Sequence, residues 1–421
     1  MHRTAIHVVS CAILAATLTA CHRSRRPEVP LTHRAYVWQR EWTPAVKAAV
    51  EESKSKLAGH VVLGAEITWR STTARPVRAT IDWASLGSSC ALALRVAPWA
   101  GPFDDASAKP VIDEALHLLS EAKAHGVACA ELQLDFDCAQ KKLAGYERWV
   151  RAVRTAIQPA RLVITTLPVW LDEPEFKTLI AAADSYVLQV HSVLPAKKNE
   201  LATICDPERA RKCVEQANAL GRDFEVALST YSALVGFDAA GKLLGYHFEG
   251  PAPDWPADAK IMQFRSEPEE MAALVREWRL DRPAHLRGVL WYRLPLATDR
   301  QNWKLPQLYA AIEGRPLRHD LAAASENENP VDVMLINRGE ADEPVRAVRV
   351  SWDGVQLVAS DALPGWRIEP GTQSVTFHPG AAADGGGRRA VAIPALPPGA
   401  RRSIGWLRFD KRPSVLVEVV H

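Results

Sequence analysis

From Arg34 to Gly314 the chain alternates between two hydrophobic periods. Short β-type runs fall at Ala35–Gln39, His60–Trp69, Cys90–Trp99, Val127–Asp137, Arg161–Leu167, Ser185–Ser192, Phe224–Thr230 and Gly288–Leu294. Between most of them the period lengthens to that of an amphipathic helix, at Thr43–Leu57, Ala108–His125, Leu143–Ile157, Glu173–Ala183, Pro207–Leu220 and Pro268–Trp278, with Pro306–Ile312 after the last run. Asp206-Pro207 is a strong helix start, Asp as N-cap and Pro at the first helical position, and Gly126 and Gly221 suit helix ends. Strands alternating with helices predict a parallel sheet, and eight such units over about 280 residues is the count of a (β/α)8 barrel. The second unit is imperfect, since Ser71 to Ser89 reads as an extended excursion rather than a helix. A doubly wound open sheet is the competing fold; neither a GxGxxG nor a GxxxxGK[ST] phosphate motif supports it.

Past Gly314 the pattern changes. Short β-type runs at Val331–Ile336, Val345–Trp352, Ser374–His378, Ala390–Ile393, Ile404–Phe409 and Val415–Val420 are separated by turn-forming Gly and Pro clusters. They predict a small all-β sandwich. The fold class is therefore α/β, a TIM-like barrel over 34–318 followed by a sandwich over 319–421.

The most telling run is Glu131-Leu132-Gln133-Leu134-Asp135-Phe136-Asp137, which alternates polar and apolar without exception. In a parallel sheet covered by helices the polar face must look elsewhere, and in a closed barrel that is the lumen. Parity extends the lumen to Ala91, Ala93 and Arg95, to Gln189 and His191, to Trp291 and Arg293, and to Glu66 on the face of Val62 and Thr68. Asp135 and Asp137 lie on one face, about 6.6 Å apart at Cα. Crowded like charges raise a carboxyl pKa, so one acid suits proton donation and the other suits tuning it. Lumen charges need partners, and Arg95 and Arg293 are candidates to neutralise Asp135 and Glu131. Aromatics at predicted strand ends (Trp38, Trp69, Trp99, Trp170, Tyr231 and Trp291) could wall a sugar site or pack beneath helices. A Ser-His-Asp hydrolase is poorly supported, as GxSxG is absent.

The first 21 residues read as an address. A short basic start, an apolar run from Ala5 to Leu18, and Leu18-Thr19-Ala20-Cys21 resemble the lipobox of bacterial lipoproteins. The resemblance implies cleavage before Cys21, a lipid on its sulfur, and, with His22 rather than Asp following, the outer membrane. Residues 22–33 read as a tether. The formal charge of +2 falls to +1 without Arg3 of the leader, which argues against nucleic acid as a partner. Cys90, Cys129, Cys138, Cys205 and Cys213 remain in the exported chain; Cys205–Cys213 is the preferred disulfide. No cysteine has a metal-ligating setting, so neither zinc nor another cofactor is expected.

The segments Ala35-Tyr36-Val37-Trp38-Gln39, Leu132 to Asp137, Val187-Leu188-Gln189-Val190-His191, Gly288 to Pro295 and Gly405-Trp406-Leu407-Arg408-Phe409 resemble the bacterial lipoprotein family catalogued as domain of unknown function 3142. That family implies fold and address more than activity. At a distance the barrel is similar to glycoside hydrolase family 18, whose fourth strand carries DxxDxDxE. Here Gln133, Asp135 and Asp137 take the last three acidic positions, Ala130 the first, and Trp291 matches the tryptophan that floors the family's sugar site. The resemblance implies a carbohydrate-acting barrel with Asp137 in place of the catalytic Glu. Asp135 would tune it, Glu66, Arg95, Gln189, His191 and Arg293 would position substrate, and Tyr231 and Trp291 would stack on it. A non-catalytic glycan-binding or envelope-scaffold barrel is the alternative.

Overall fold

A computed structural model describes residues 30–191, 203–251, 253–380 and 393–420. The lipobox with Cys21, most of the tether, and most of the expected strand Ala390–Ile393 lie outside the described residues. Eight parallel strands close a barrel: β1 (Thr32–Val37), β2 (Gly59–Arg70), β4 (Ser89–Val96), β5 (Ala128–Phe136), β6 (Arg161–Thr166), β7 (Ser185–Gln189), β8 (Phe224–Ser229) and β12 (Leu286–Tyr292). The order runs β1-β12-β8-β7-β6-β5-β4-β2, and β1 also pairs with β2, which shuts the ring. Helices α1 (Pro44–Ser53), α2 (Asp105–Ala124), α3 (Leu143–Ala156), α4 (Pro174–Ala182), α5 (Pro207–Ala219), α6 (Pro268–Leu280) and α7 (Leu305–Glu313) follow the strands. The expected excursion in the second unit is real: β3 (Thr73–Arg78) folds back antiparallel on β2, and no α-helix follows. The Asp206-Pro207 start holds as well, with the Asp206 carboxylate accepting from the Arg209 amide at 2.9 Å.

One insertion has no counterpart in the sequence reading. Between β8 and α6 the chain forms a three-stranded antiparallel sheet, β9 (Ser232–Phe237), β10 (Leu243–His247) and β11 (Lys260–Arg265), with its own core of Ile204, Ala233, Val235, Phe237 and Phe264.

The C-terminal strands are β13 (Leu321–Glu326), β14 (Val331–Asn337), β15 (Val348–Trp352), β16 (Leu357–Ala362), β17 (Trp366–Gly371), β18 (Ser374–Pro379), β19 (Arg401–Phe409) and β20 (Val415–Val419). They make two four-stranded antiparallel sheets, β13-β14-β19-β16 and β17-β18-β15-β20. Both sheets contribute to one core: Val333 and Leu407 from the first meet Val350 and Phe377 from the second. That shared core is what makes them a sandwich.

Two cores flank the barrel wall. Leu92, Leu94, Leu132, Leu134 and Phe136 point outward into the helix layer. Inside, Tyr36, Val61, Ala91, Ala93, Val163, Val187, Ala227 and Leu290 fill a middle layer. Below that layer lies an ion cluster. Arg34 on β1 donates to Glu131 on β5 at 2.9 Å and to Glu225 on β8 through two nitrogens. Gln133 donates to Glu131 at 2.9 Å and accepts from the Tyr36 hydroxyl at 2.6 Å. The partner of Glu131 is thus Arg34, not Arg293.

Only 17% of the Arg34 side chain is accessible, so its loss would strand two partly buried carboxylates. We expect Arg34→Met to destabilise the chain by about 3–5 kcal/mol. Urea unfolding at neutral pH measures this, and a loss under about 1 kcal/mol would mean that the floor relaxes around its charges.

Candidate functional site

The row read from β5 does face the lumen, and it rises toward the mouth. Glu131 and Gln133 belong to the floor, Asp135 stands opposite Arg95 in the β4–β5 ladder, and Asp137 follows the strand at the rim. Asp135 is 4% exposed, and both its oxygens are engaged. Oδ2 accepts from Arg95 at 2.7 Å; Oδ1 accepts from Thr165 at 2.7 Å and from Gln189 at 3.3 Å. Arg95 reaches on to Asp137 at 3.5 Å.

These acids line a cavity of about 470 Å³, a volume ordinary for a small-ligand site. Its walls include Tyr36, Trp38, Gln189, His191, Arg209, Tyr231 and Tyr292. The aromatic wall is continuous: Trp38 meets Tyr36 at 5.2 Å and Tyr292 at 5.4 Å, and Tyr292 meets His191 at 5.4 Å and Tyr231 at 5.8 Å.

Electrostatics separates the two carboxyls by role. Asp137 is 46% accessible, yet its partial burial raises its pKa above that of an ordinary aspartate, and the charge of Asp135 adds to the rise. Arg95 opposes both effects. Burial works against the charge on Arg95, but Asp135 and Asp137 outweigh it and hold the guanidinium more firmly protonated. Burial lowers the His191 imidazole to about 4, so it is neutral at physiological pH. Its Nε2 is buried with no hydrogen-bond partner. A buried ring nitrogen without a partner is an unmet hydrogen-bonding group beside the cavity. No group of three His, Cys, Asp or Glu among the described residues could hold a metal ion.

Several expected positions differ. Trp291 is fully buried on the outer face, stacked on His33 and donating to its Nδ1 at 3.3 Å. Its neighbours Leu290 and Tyr292 are the lumen residues of β12. The assumption that polar residues face inward fails there because the middle layer is apolar, and Tyr292 takes the place expected of Trp291. Arg293 is turned away from the cavity: it pairs with Asp299 at 3.0 Å and Glu249 at 3.7 Å beyond the end of β12.

Glu66 lies opposite Arg95 in the ladder but is ion-paired to Arg40 and does not line the cavity. Nor does it share a face with Val62, which packs into the outer core. The ladder shifts register between Leu63 and Ala65 and reverses the alternation at Gly64, where a Cβ would lie 2.8 Å from Leu118. Trp69 and Trp99 pack against each other with centroids 4.4 Å apart and planes tilted by 46°, both meet Trp149, and Trp170 is buried. Of the six expected aromatics, Trp38 and Tyr231 reach the cavity.

Cys205 and Cys213 are free thiols. Cys205 lies just before the N-cap of α5 and Cys213 within the helix, and both thiols are buried. Tyr36, Thr165, Arg209 and Tyr292 are polar cavity residues that were missed; Tyr36 shares strand parity with Trp38, whereas parity on β12 favoured Trp291 and Arg293 over Tyr292, and Arg209 comes from α5.

The like-charge effect is measurable. We expect Asp135→Asn to lower the titration midpoint of Asp137, followed by carboxyl carbon-13 NMR, because it removes the nearby negative charge. An unmoved midpoint would show that burial alone holds it up.

Among curated proteins none matches the chain. Among solved structures it is similar to the spore cortex-lytic enzyme SleL of Bacillus cereus, at 12% identity over 68% of this chain and 74% of that one, with a TM-score of 0.45. It is also similar to a Group IV chitinase of Ostrinia furnacalis in complex with allosamidin, at 10% identity over 68% and 100% of the two chains, with a TM-score of 0.43. A chitinase from Bacteroides thetaiotaomicron matches at 11% identity over 63% and 89%, with a TM-score of 0.42. Residues 93–297, a span that holds Arg95, Asp135, Asp137, Gln189, His191 and Tyr292, match the model of the family described as domain of unknown function DUF3142.

Proposed function

We propose that this barrel hydrolyses a glycosidic bond in a polysaccharide or envelope glycan, with Asp137 as general acid. The observation that carries the reading is a rim carboxyl with a raised pKa in a cavity walled by aromatic rings. In this role the Asp137 proton passes to the leaving oxygen as the glycosidic C–O bond breaks, water supplies the hydroxyl to the freed anomeric carbon, and the remaining water proton restores Asp137. Asp135, with both oxygens held by donors, tunes and orients the acid. Arg95 and Gln189 fix the pair, His191 offers Nε2 to a sugar hydroxyl, and Tyr231 and Tyr292 give apolar faces for the ring to rest against.

One observation favours a second reading, a barrel that binds glycan without turning it over. The carboxylates lining the described cavity are Asp135 and Asp137, and Arg95 bridges them. Such an arrangement lacks a second unpaired acid to activate water.

A panel of polysaccharides incubated with wild type and Asp137→Asn decides between the readings. We expect turnover to fall about 10²–10⁴-fold in the variant, and wild-type activity to decline as pH rises past the Asp137 midpoint. Equal turnover in the two proteins removes Asp137 from the acid role; retained affinity with no turnover in either supports the binding barrel.

We further propose that the chain is exported and lipid-anchored through Cys21, on the strength of Leu18-Thr19-Ala20-Cys21. Cys21→Ser should move the protein from the membrane pellet to the soluble fraction after cell lysis. A variant still pelleting with membranes would remove the anchor.

A further inference from the structure

Cys90 on β4 and Cys129 on β5 are partners in the parallel ladder, and the Cys129 thiol donates to the Glu131 carbonyl at 3.2 Å. Strict alternation would keep them apart. Ala91 and Ala93 point into the lumen, so Cys90 points out. Glu131 and Gln133 also point in, and alternation would aim Cys129 inward with them. The ladder instead passes from Cys90–Cys129 to Ala91–Glu131, leaving Ala130 as an extra residue on β5. The bulge turns Cys129 to the outer face, where both thiols pack, half-buried, against the helix-side core. Neighbouring strands lie about 4.8 Å apart, within the span of roughly 4.4–6.8 Å that bridged Cα atoms occupy. The other described cysteines do not meet this condition in the ladder: Cys138 follows β5, Cys205 precedes α5, and Cys213 lies within it.

We propose that Cys90 and Cys129 are a disulfide-forming pair that staples β4 to β5 on exposure to a low-molecular-weight disulfide such as oxidised glutathione. The Cys129 thiolate attacks one sulfur of the glutathione disulfide, forming a mixed disulfide and releasing one glutathione thiolate. The Cys90 thiolate then attacks Cys129 Sγ, the protein S–S bond forms, and the second glutathione leaves. The two thiol protons end on the two glutathione molecules, so the pair is oxidised by two electrons and the glutathione disulfide is reduced by two. The adjacent Cys90 thiol lowers the pKa of Cys129 below that of an ordinary cysteine, which makes Cys129 the attacking sulfur. The staple joins the strands that carry Arg95 and Asp135, at the end of the barrel away from the mouth, and so fixes their register without entering the cavity.

The test is peptide mass spectrometry of the full chain after incubation with oxidised glutathione and alkylation in denaturant. We expect a Cys90–Cys129 cross-link with a mass loss of two hydrogens, while Cys138, Cys205 and Cys213 stay alkylated. Cys138→Ser should leave the link intact, and Cys90→Ser should stop it with glutathione retained on Cys129. The oxidised wild type should melt a few degrees higher than the reduced form. Full alkylation of Cys90 and Cys129 after the treatment, or linkage of either to another cysteine, would overturn the proposal. The wild-type map alone decides the matter if the Cys90→Ser variant fails to fold.

Discussion

Closing a sheet into a ring gives every strand one face with no access to bulk water, and whatever that face carries must be satisfied inside. Arg34 meets this demand by facing Glu131 and Glu225 from across the floor. Its position on β1 matters, since that strand joins β2 to β12 and completes the ring. With both floor carboxylates paired to Arg34, the middle layer can be apolar and tightly filled. The remaining charges collect at the top, where Arg95, Asp135 and Asp137 share a cavity. The site is placed by exclusion from the layers beneath it as much as by its own bonds.

The two aspartates show how a few ångströms change the chemistry of one residue type. Asp135 is enclosed, and three donors hold its oxygens. Asp137 stands one pleat higher, touches the cavity, and has one long contact to Arg95. A carboxyl that is partly buried beside a negative neighbour, as Asp137 is, keeps its proton longer. The contrast follows from their heights along one strand and needs no special loop.

How much of this could be read from the sequence depended on whether a strand kept its alternation. On β4, β5 and β7 the pattern from Ala91 to Arg95, from Glu131 to Asp135 and at Gln189 gave the lumen face correctly. On β2 the bulge at Gly64 reversed parity midway. On β12 the layer rule itself changed, and an inward Leu290 left Trp291 outside and Tyr292 within. Bulges depend on what a strand meets across the ladder, information that a single run of residues does not hold. The insertion β9–β11 was missed because its apolar residues serve a small separate core, and β13 and β16 because their residues do not alternate cleanly; β17 alternates from Trp366 to Glu369 but is cut short by Pro370-Gly371, a turn signal.

The pairing of β1 with β12 bears on how the molecule is made. The first barrel strand emerges from the ribosome some 250 residues before its last neighbour, given partners such as Thr32 and Gly288. Until β12 arrives, one side of β1 is an open edge, free to recruit a wrong strand. Contacts so distant in the chain slow the final step of folding. Any factor that shields a nascent edge would therefore act on this polypeptide late in its synthesis, when seven strands are assembled and the eighth is still missing.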